Sequence, residues 1–168
     1  MYQMLRKILT TPKTVMPAQD FLVDDESDSA VVGKRLAEEI QKLFGGSLAI
    51  REVDAGSSNA EEQELNALTN GYYDVERFGI HFVASPRHAD MLMITGPVSR
   101  NMAEAVRRTY DATPTPRIVV AVGDGAINGG VFRGSYAIYN SLHEVIPVDY
   151  EIPGDPPSPR TIIAALLA

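Results

Sequence analysis

The sequence has no cysteine and no tryptophan in 168 residues. Without a thiol there is no disulfide, no thiol nucleophile, no cysteine-ligated zinc and no ordinary ligand set for an iron–sulfur cluster. The missing tryptophan excludes no function. Long apolar runs are absent too. No stretch approaches the ~20 residues a membrane span requires, and Met1 to Leu9 lacks the continuous apolar segment of a signal peptide. The expectation is a soluble or peripheral, cytoplasmic protein. Positive charge is in short supply: 15 basic against 22 acidic residues give a net charge of −7. That balance argues against general nucleic-acid binding, which draws on a basic surface.

What is present suffices for one domain with an arm. Hydrophobic residues make up 45% of the chain, enough to bury a core. The first 18 residues carry Arg6, Lys7 and Lys13 and no acid. Met1, Met4, Leu5, Ile8 and Leu9 follow i, i+3, i+4, i+7, i+8 spacing, which places them on one face of a helix. Such a basic amphipathic segment suits a membrane surface or a partner's groove. Asp20, Asp24, Asp25, Glu26 and Asp28 then reverse the charge and read as a solvated linker. The expected division is an arm and linker over 1–30 and a folded domain over 31–168.

Within that domain, helical periodicity runs from Val31 to Phe44 and stops at Gly45-Gly46. Strands are expected over 47–53, 78–84, 91–95, 118–122 and 145–148. Helices are expected over 61–68, 98–110 (with Met102, Ala105, Val106 and Tyr110 on one face), 136–142 and 160–168, the last with Pro159 near its start. Strands alternating with helices imply an α/β fold, a parallel sheet with helices on both faces. In such sheets, sites lie beyond the carboxyl ends of the strands. Three loops are expected there: Asp54–Glu64, the glycine-rich Val122–Gly130, and Pro153–Pro159.

The chemistry of these loops is open at this level. Backbone amides of GDGAINGG resemble a phosphate cradle, but the stretch fits neither the Walker form nor G-x-G-x-x-G, and a tight turn needing positive φ explains it as well. Ser57 and Ser58 lack the surroundings of a hydrolase nucleophile. His81 reads as a packed or edge histidine, His143 as a surface one, and Tyr72, Tyr73 and Tyr110 as packing residues. If the loops converge, Glu61 approaches Asp155, with Asp54 or Asp124 nearby. Oxygen ligands of that kind suit Mg²⁺ or Ca²⁺, although loop acids also cluster without any ligand.

From about residue 47 onward the chain becomes recognisable. The run GSSNAEEQELNALTNGYYDVERFGIHFVASPRHADMLMITGPVSRNMAEAVRRTY, then P-x-P-R-I-V-V-A-V-G-D, GG-V-F and VIPVDYEIPGDPPSP, resembles the small subunit of membrane-bound, energy-converting nickel–iron hydrogenases. It is similar also to the homologous subunit of respiratory complex I. The resemblance implies a flavodoxin-like fold. It implies four cysteines holding one 4Fe–4S cluster, in the patterns G-S-C-N-G-C-D-I-E, G-D-C or G-A-C, and P-G-C-P-P. In this chain those four positions are Ser58, Glu61, Gly125 and Asp155. Glycine offers no ligand, and hydroxyl and carboxylate are poor donors to a soft cluster. The expectation is therefore a family member with no cofactor, no catalytic residue and no activity of its own.

What the resemblance leaves in place is contact. It implies that Glu64 lies by the former cluster loop and that Arg87, His88 and Asp90 of SPRHAD lie near the junction between a large-subunit homologue and the membrane arm. The amphipathic head, through Met1, Met4, Leu5, Ile8 and Leu9, suits a membrane-arm contact. The implied role is a structural subunit, peripheral on the cytoplasmic face of the inner membrane. The alternatives are a module binding a flavin, a nucleotide or a divalent cation at the old pocket, or an oxidoreductase subunit with an altered cofactor.

Overall fold

Residues 34–42 and 45–166 are described by the computed structural model. The basic arm, with Met1, Met4, Leu5, Ile8 and Leu9, and the acidic linker lie outside these residues, as do 31–33 and 167–168. A helix over 34–42 (α1) turns Leu36 and Ile40 inward, four residues apart and so on one face. Then follow β1 (Leu48–Asp54), α2 (Ala60–Ala67), β2 (Ile80–Phe82), β3 (Met91–Thr95), α3 (Ala103–Ala112), β4 (Ile118–Val122), α4 (Gly123–Asn128), β5 (Tyr150–Ile152) and α5 (Pro159–Ala165).

The five strands form one sheet in the order β2-β1-β3-β4-β5, and every pairing is parallel. β3 pairs with both β1 and β4 along its whole length, Thr95 opposite Asp54 and Val122. It is buried at all five positions, as a strand covered on both faces must be. Successive side chains point to opposite faces. Met91 and Met93 join Val120, Val122, Ile152, Leu65 and Ile162 in one core, while Leu92 and Ile94 join Val119, Ala121, Val106 and Ala126 in the other. Leu92, Met93 and Ile94 have no exposed surface. Each contributes about 1.5–3 kcal/mol of apolar burial, so β3 holds the frame that fixes the loops.

The expected α/β sheet stands, with local corrections. The fifth strand is Tyr150–Ile152, not 145–148. Val145, Ile146 and Val148 belong to the core without pairing, after a 3-10 turn at Leu142–Glu144, so their apolar run reflects burial and not a ladder. No helix forms over 136–142; Ile138 instead makes an isolated antiparallel bridge with Ser99. The helix expected at 98 begins at Ala103, because Ser99 is used in that bridge. Its inward side is Ala103 and Val106, not Ala105, which is exposed. Residues 75–78 form a 3-10 turn ahead of β2. The glycine stretch begins as a short helix directly off β4, with positive φ at Gly123 (84°) and at the terminating Gly129 (85°).

Candidate functional site

Because all strands run the same way, the loops after β1, β3, β4 and β5 leave from one edge. Main-chain bonds tie them together. Ser99 N–H donates to Ala55 O at 2.8 Å, and Asp124 N–H donates to Gly154 O at 2.8 Å. In return Gly154 N–H donates to Asp124 Oδ1 at 3.0 Å. The 54–59 turn is built on side chains: Asp54 Oδ1 accepts from Gly56 and Ser57 N–H at 2.7 and 2.9 Å, and Ser57 Oγ accepts from Asn59 N–H at 3.0 Å. Asn59, with φ 72°, then redirects the chain into α2, whose first turn holds Glu61 and Glu62. Acids are favoured at that end of a helix.

The three loops expected to converge do so, and a fourth, Gly96–Ser99, closes the group. It follows β3, and its place after a parallel strand puts it on this edge. Gly96 and Gly125 pack main chain to main chain. A Cβ on Gly125 would lie 2.7 Å from Gly96 C and O, and one on Gly96 would lie 2.5 Å from Ala126 N. Glu61 is 3% exposed and lies flat on Gly123, where a Cβ would meet its Oε1 at 2.7 Å. Gly123 is thus held to glycine twice, by its φ and by this carboxylate.

The four positions singled out in sequence therefore differ in environment. Glu61 and Gly125 are buried, whereas Ser58 and Asp155 are exposed. Glu61 Oε2 is buried with no hydrogen-bond partner. Burial pushes its carboxyl above the ordinary range, and the charges of Glu62, Asp155 and Asp124 push it the same way, against a bond from its own backbone. Asp54 is spent on its own turn. Among the described residues, no group of three or more acids or histidines is arranged to hold a metal ion. The residues do not fit a 4Fe–4S cluster either: no thiol is available, and the Gly125 position has no space for any side chain.

Glu62, not singled out from the sequence, is the better connected acid. It accepts from the hydroxyls of Ser57 and of the fully buried Thr95. It also lines a groove of about 250 Å³ with Arg51, Glu52, Leu65, Asn66 and the 82–84 segment. Glu52 Oε1 is buried there without a partner, and its carboxyl is raised by burial, then by Glu62. Nothing in the local sequence marked Glu52, which lies between Arg51 and Val53 on β1.

The remaining candidates sit apart. Arg87 and His88 are exposed in a 3-10 turn before β3. Asp90 is at the amino end of β3, exchanging bonds with Ala49: its N–H donates to Ala49 O at 2.8 Å, and its Oδ2 accepts from Ala49 N–H at 3.0 Å. Asp90 thus anchors the sheet at the edge opposite the acid loops. Glu64 is half-buried on α2, one turn after Glu61. His81 is half-buried on edge strand β2, and exposed His143 faces Glu151 at 3.0 Å, both as expected. Tyr73 packs on the core and Tyr110 stacks under Arg117 at 3.9 Å. Tyr72 departs from expectation: it is 52% exposed and accepts from Arg160 at 3.0 Å.

Comparison with known proteins agrees with this architecture. Residues 59–168 match the family described as NADH ubiquinone oxidoreductase, 20 kDa subunit. The chain is 40% identical over 139 residues to a "probable membrane-bound hydrogenase subunit" of Pyrococcus furiosus, covering 83% of each. It is 41% identical over 121 residues to an uncharacterized protein of Methanocaldococcus jannaschii, covering 72% of this chain and 81% of that one. It is 40% identical over 122 residues to formate hydrogenlyase subunit 7 of Escherichia coli, covering 73% of this chain and 48% of that longer one. Among solved structures it resembles a chain of the membrane-bound sulfane sulfur reductase, described as an archaeal respiratory membrane complex. There the TM-score is 0.65 and the identity 33%, over 79% of this chain and 72% of that one. On this fold, this extent of match and these identities, the chain belongs to the NADH ubiquinone oxidoreductase 20 kDa subunit family.

Proposed function

We propose that this chain is a cluster-free, non-catalytic subunit of a hydrogenase-like or complex I-like membrane assembly, where it docks a large-subunit homologue onto the membrane subunits. The observation that carries this reading is the closed contact of Gly96 with Gly125, together with the absence of any thiol. A cubane needs donors at its iron corners, and here main chain fills one of the four places outright. An electron-carrying role through that position has no chemical basis in these residues.

The docking part rests on what the family retains and on what the surface offers. Relatives include a membrane-bound hydrogenase subunit and a chain of a respiratory membrane complex. No described helix is long and apolar enough to cross a membrane, so attachment through partners fits. Val131, Phe132 and Tyr136, following α4, are 83%, 54% and 92% exposed. These large exposed side chains fall within one short segment that follows α4, and a partner covering them would remove apolar surface from water. Glu64, Arg87, His88 and Asp90 remain proposed junction residues, and the amphipathic head a proposed membrane-arm contact.

The test is affinity purification of the tagged full chain from solubilised membranes of its own host. A large-subunit homologue and integral membrane subunits in stoichiometric yield are expected. Recovery of the chain alone, from the soluble fraction, would refute the docking role.

A further inference from the structure

The position that the family resemblance marks for a cluster ligand holds, in this chain, a buried acid with no positive charge among the groups acting on it. Glu61 is 97% removed from solvent by the fold, being 3% exposed. Its Oε2 has no donor. The charged groups acting on it are Glu62 from its own helix, Asp124 from the start of α4 and Asp155 from the loop after β5, all acids. A lone ionised carboxylate in such a place is costly, and the group neutralises instead. The cation that would otherwise do this has no ligand set among the described residues.

We infer that Glu61 holds a proton in the folded subunit, so that the former cluster position serves as a proton-binding site joining α2, α4 and the 153–159 loop. The inference rests on the cluster-free reading above. Protonated, Glu61 leaves a neutral orphaned oxygen where an ionised one would be far more costly, and its side chain rests on Gly123. Ionised, it adds a negative charge beside those of Glu62, Asp124 and Asp155 and repels the 153–159 loop through Asp155. Uptake of one proton at Glu61 therefore removes this repulsion between α2, α4 and the 153–159 loop.

The sign of the linkage is fixed by the direction of the shift. The folded-state value lies above the ordinary glutamate value of 4.5. The stabilisation is thus complete below 4.5 and is lost as pH rises through the folded-state value.

The experiment is a side-chain carboxyl ¹³C NMR titration of the full chain, metal-free by chelation, with Glu61→Gln identifying the resonance and Asp155→Asn as a second variant. Asp155 is exposed, so its substitution leaves packing intact. The Glu61 midpoint is expected above 4.5, and Asp155→Asn is expected to lower it. The melting temperature of Glu61→Gln, relative to the unsubstituted chain, is expected to rise with increasing pH. A midpoint at or below 4.5, or one that Asp155→Asn leaves unmoved, would overturn the proposal. So would a midpoint that falls when Mg²⁺ or Ca²⁺ is added, which would make the site a cation site. Iron content of the same sample is a separate readout. Bound cluster iron would defeat the cluster-free reading itself, whereas an iron-free chain with an ordinary Glu61 would defeat the proton site alone.

Discussion

The carboxyl edge of the sheet has two halves that are built differently. Beyond β3 and β4 it is shut: Gly96 meets Gly125 through main chain, and Glu61 covers Gly123. Between β1, α2 and the chain leaving β2 it opens into a groove of about 250 Å³. Both halves carry a carboxylate with a buried, unpartnered oxygen, Glu61 in the first and Glu52 in the second. The four positions singled out by the family resemblance divide as well: Glu61 and Gly125 are closely packed, whereas Ser58 and Asp155 are exposed. A vacated cavity leaves its walls without contacts, at a cost that grows with its volume. At Gly96 and Gly125 main chain meets main chain and leaves no such cavity.

Breaking the shut half should have the largest effect. Gly96→Ala places a Cβ 2.5 Å from Ala126 N and 2.6 Å from its Cα, and neither atom can rotate away. Urea unfolding of the full chain should show a loss of about 3 kcal/mol, at the upper end of overpacking costs. Gly125→Ala, with contacts at 2.7 Å, should lose about 2 kcal/mol. A loss near zero at Gly125 would mean that the edge opens easily, and that a thiol there could still be accommodated.

The boundary between the halves is held by Glu62 and the two hydroxyls that bond to it. Thr95→Val keeps the shape and removes a fully buried donor to the carboxylate. A loss of about 2 kcal/mol by chemical denaturation is expected, within the range for hydrogen bonds to charged groups. In the open half, Glu52→Gln should raise the melting temperature more in mildly alkaline than in acidic buffer. The Glu52 carboxyl is raised by burial, then by Glu62, so its ionisation weakens the fold only as pH rises through the raised value. A uniform offset across pH would show that Glu52 is solvated like a surface acid.

The smallest effect on stability belongs outside both halves. Arg87→Ala and His88→Ala change exposed side chains and should move stability by less than about 0.5 kcal/mol. If these residues meet partners, the same substitutions should reduce the yield of co-purified subunits. Full recovery of the assembly would remove them from the junction.

Much of this architecture was legible in the residues. Continuous apolar runs at 91–95 and 118–122 fixed the central strands, because strands buried on both faces have no polar alternation to confuse the reading. The fifth strand was misplaced for the complementary reason. Val145–Val148 is as apolar as a strand but packs Ile146, with Val145 and Val148 beside it, on the core after a 3-10 turn, while Tyr150 and Glu151 of the real strand are exposed on the sheet's edge. Convergence of the Asp54, Val122 and Pro153 loops followed from parallel strands alone. The close contact of Gly96 with Gly125 did not, because a glycine needed for close approach looks the same in sequence as one needed for a turn. Glu62 and Glu52 were passed over because their importance comes from tertiary contacts with Thr95 and with each other, which no local spacing records.

The account stands on the claim that this subunit carries no cluster. Its most direct test is iron and acid-labile sulfide, quantified per mole of the full chain after anaerobic expression and purification with iron and sulfide in ample supply. The prediction is iron at background. About four iron atoms and four sulfides per chain, the content of one cubane, would contradict it.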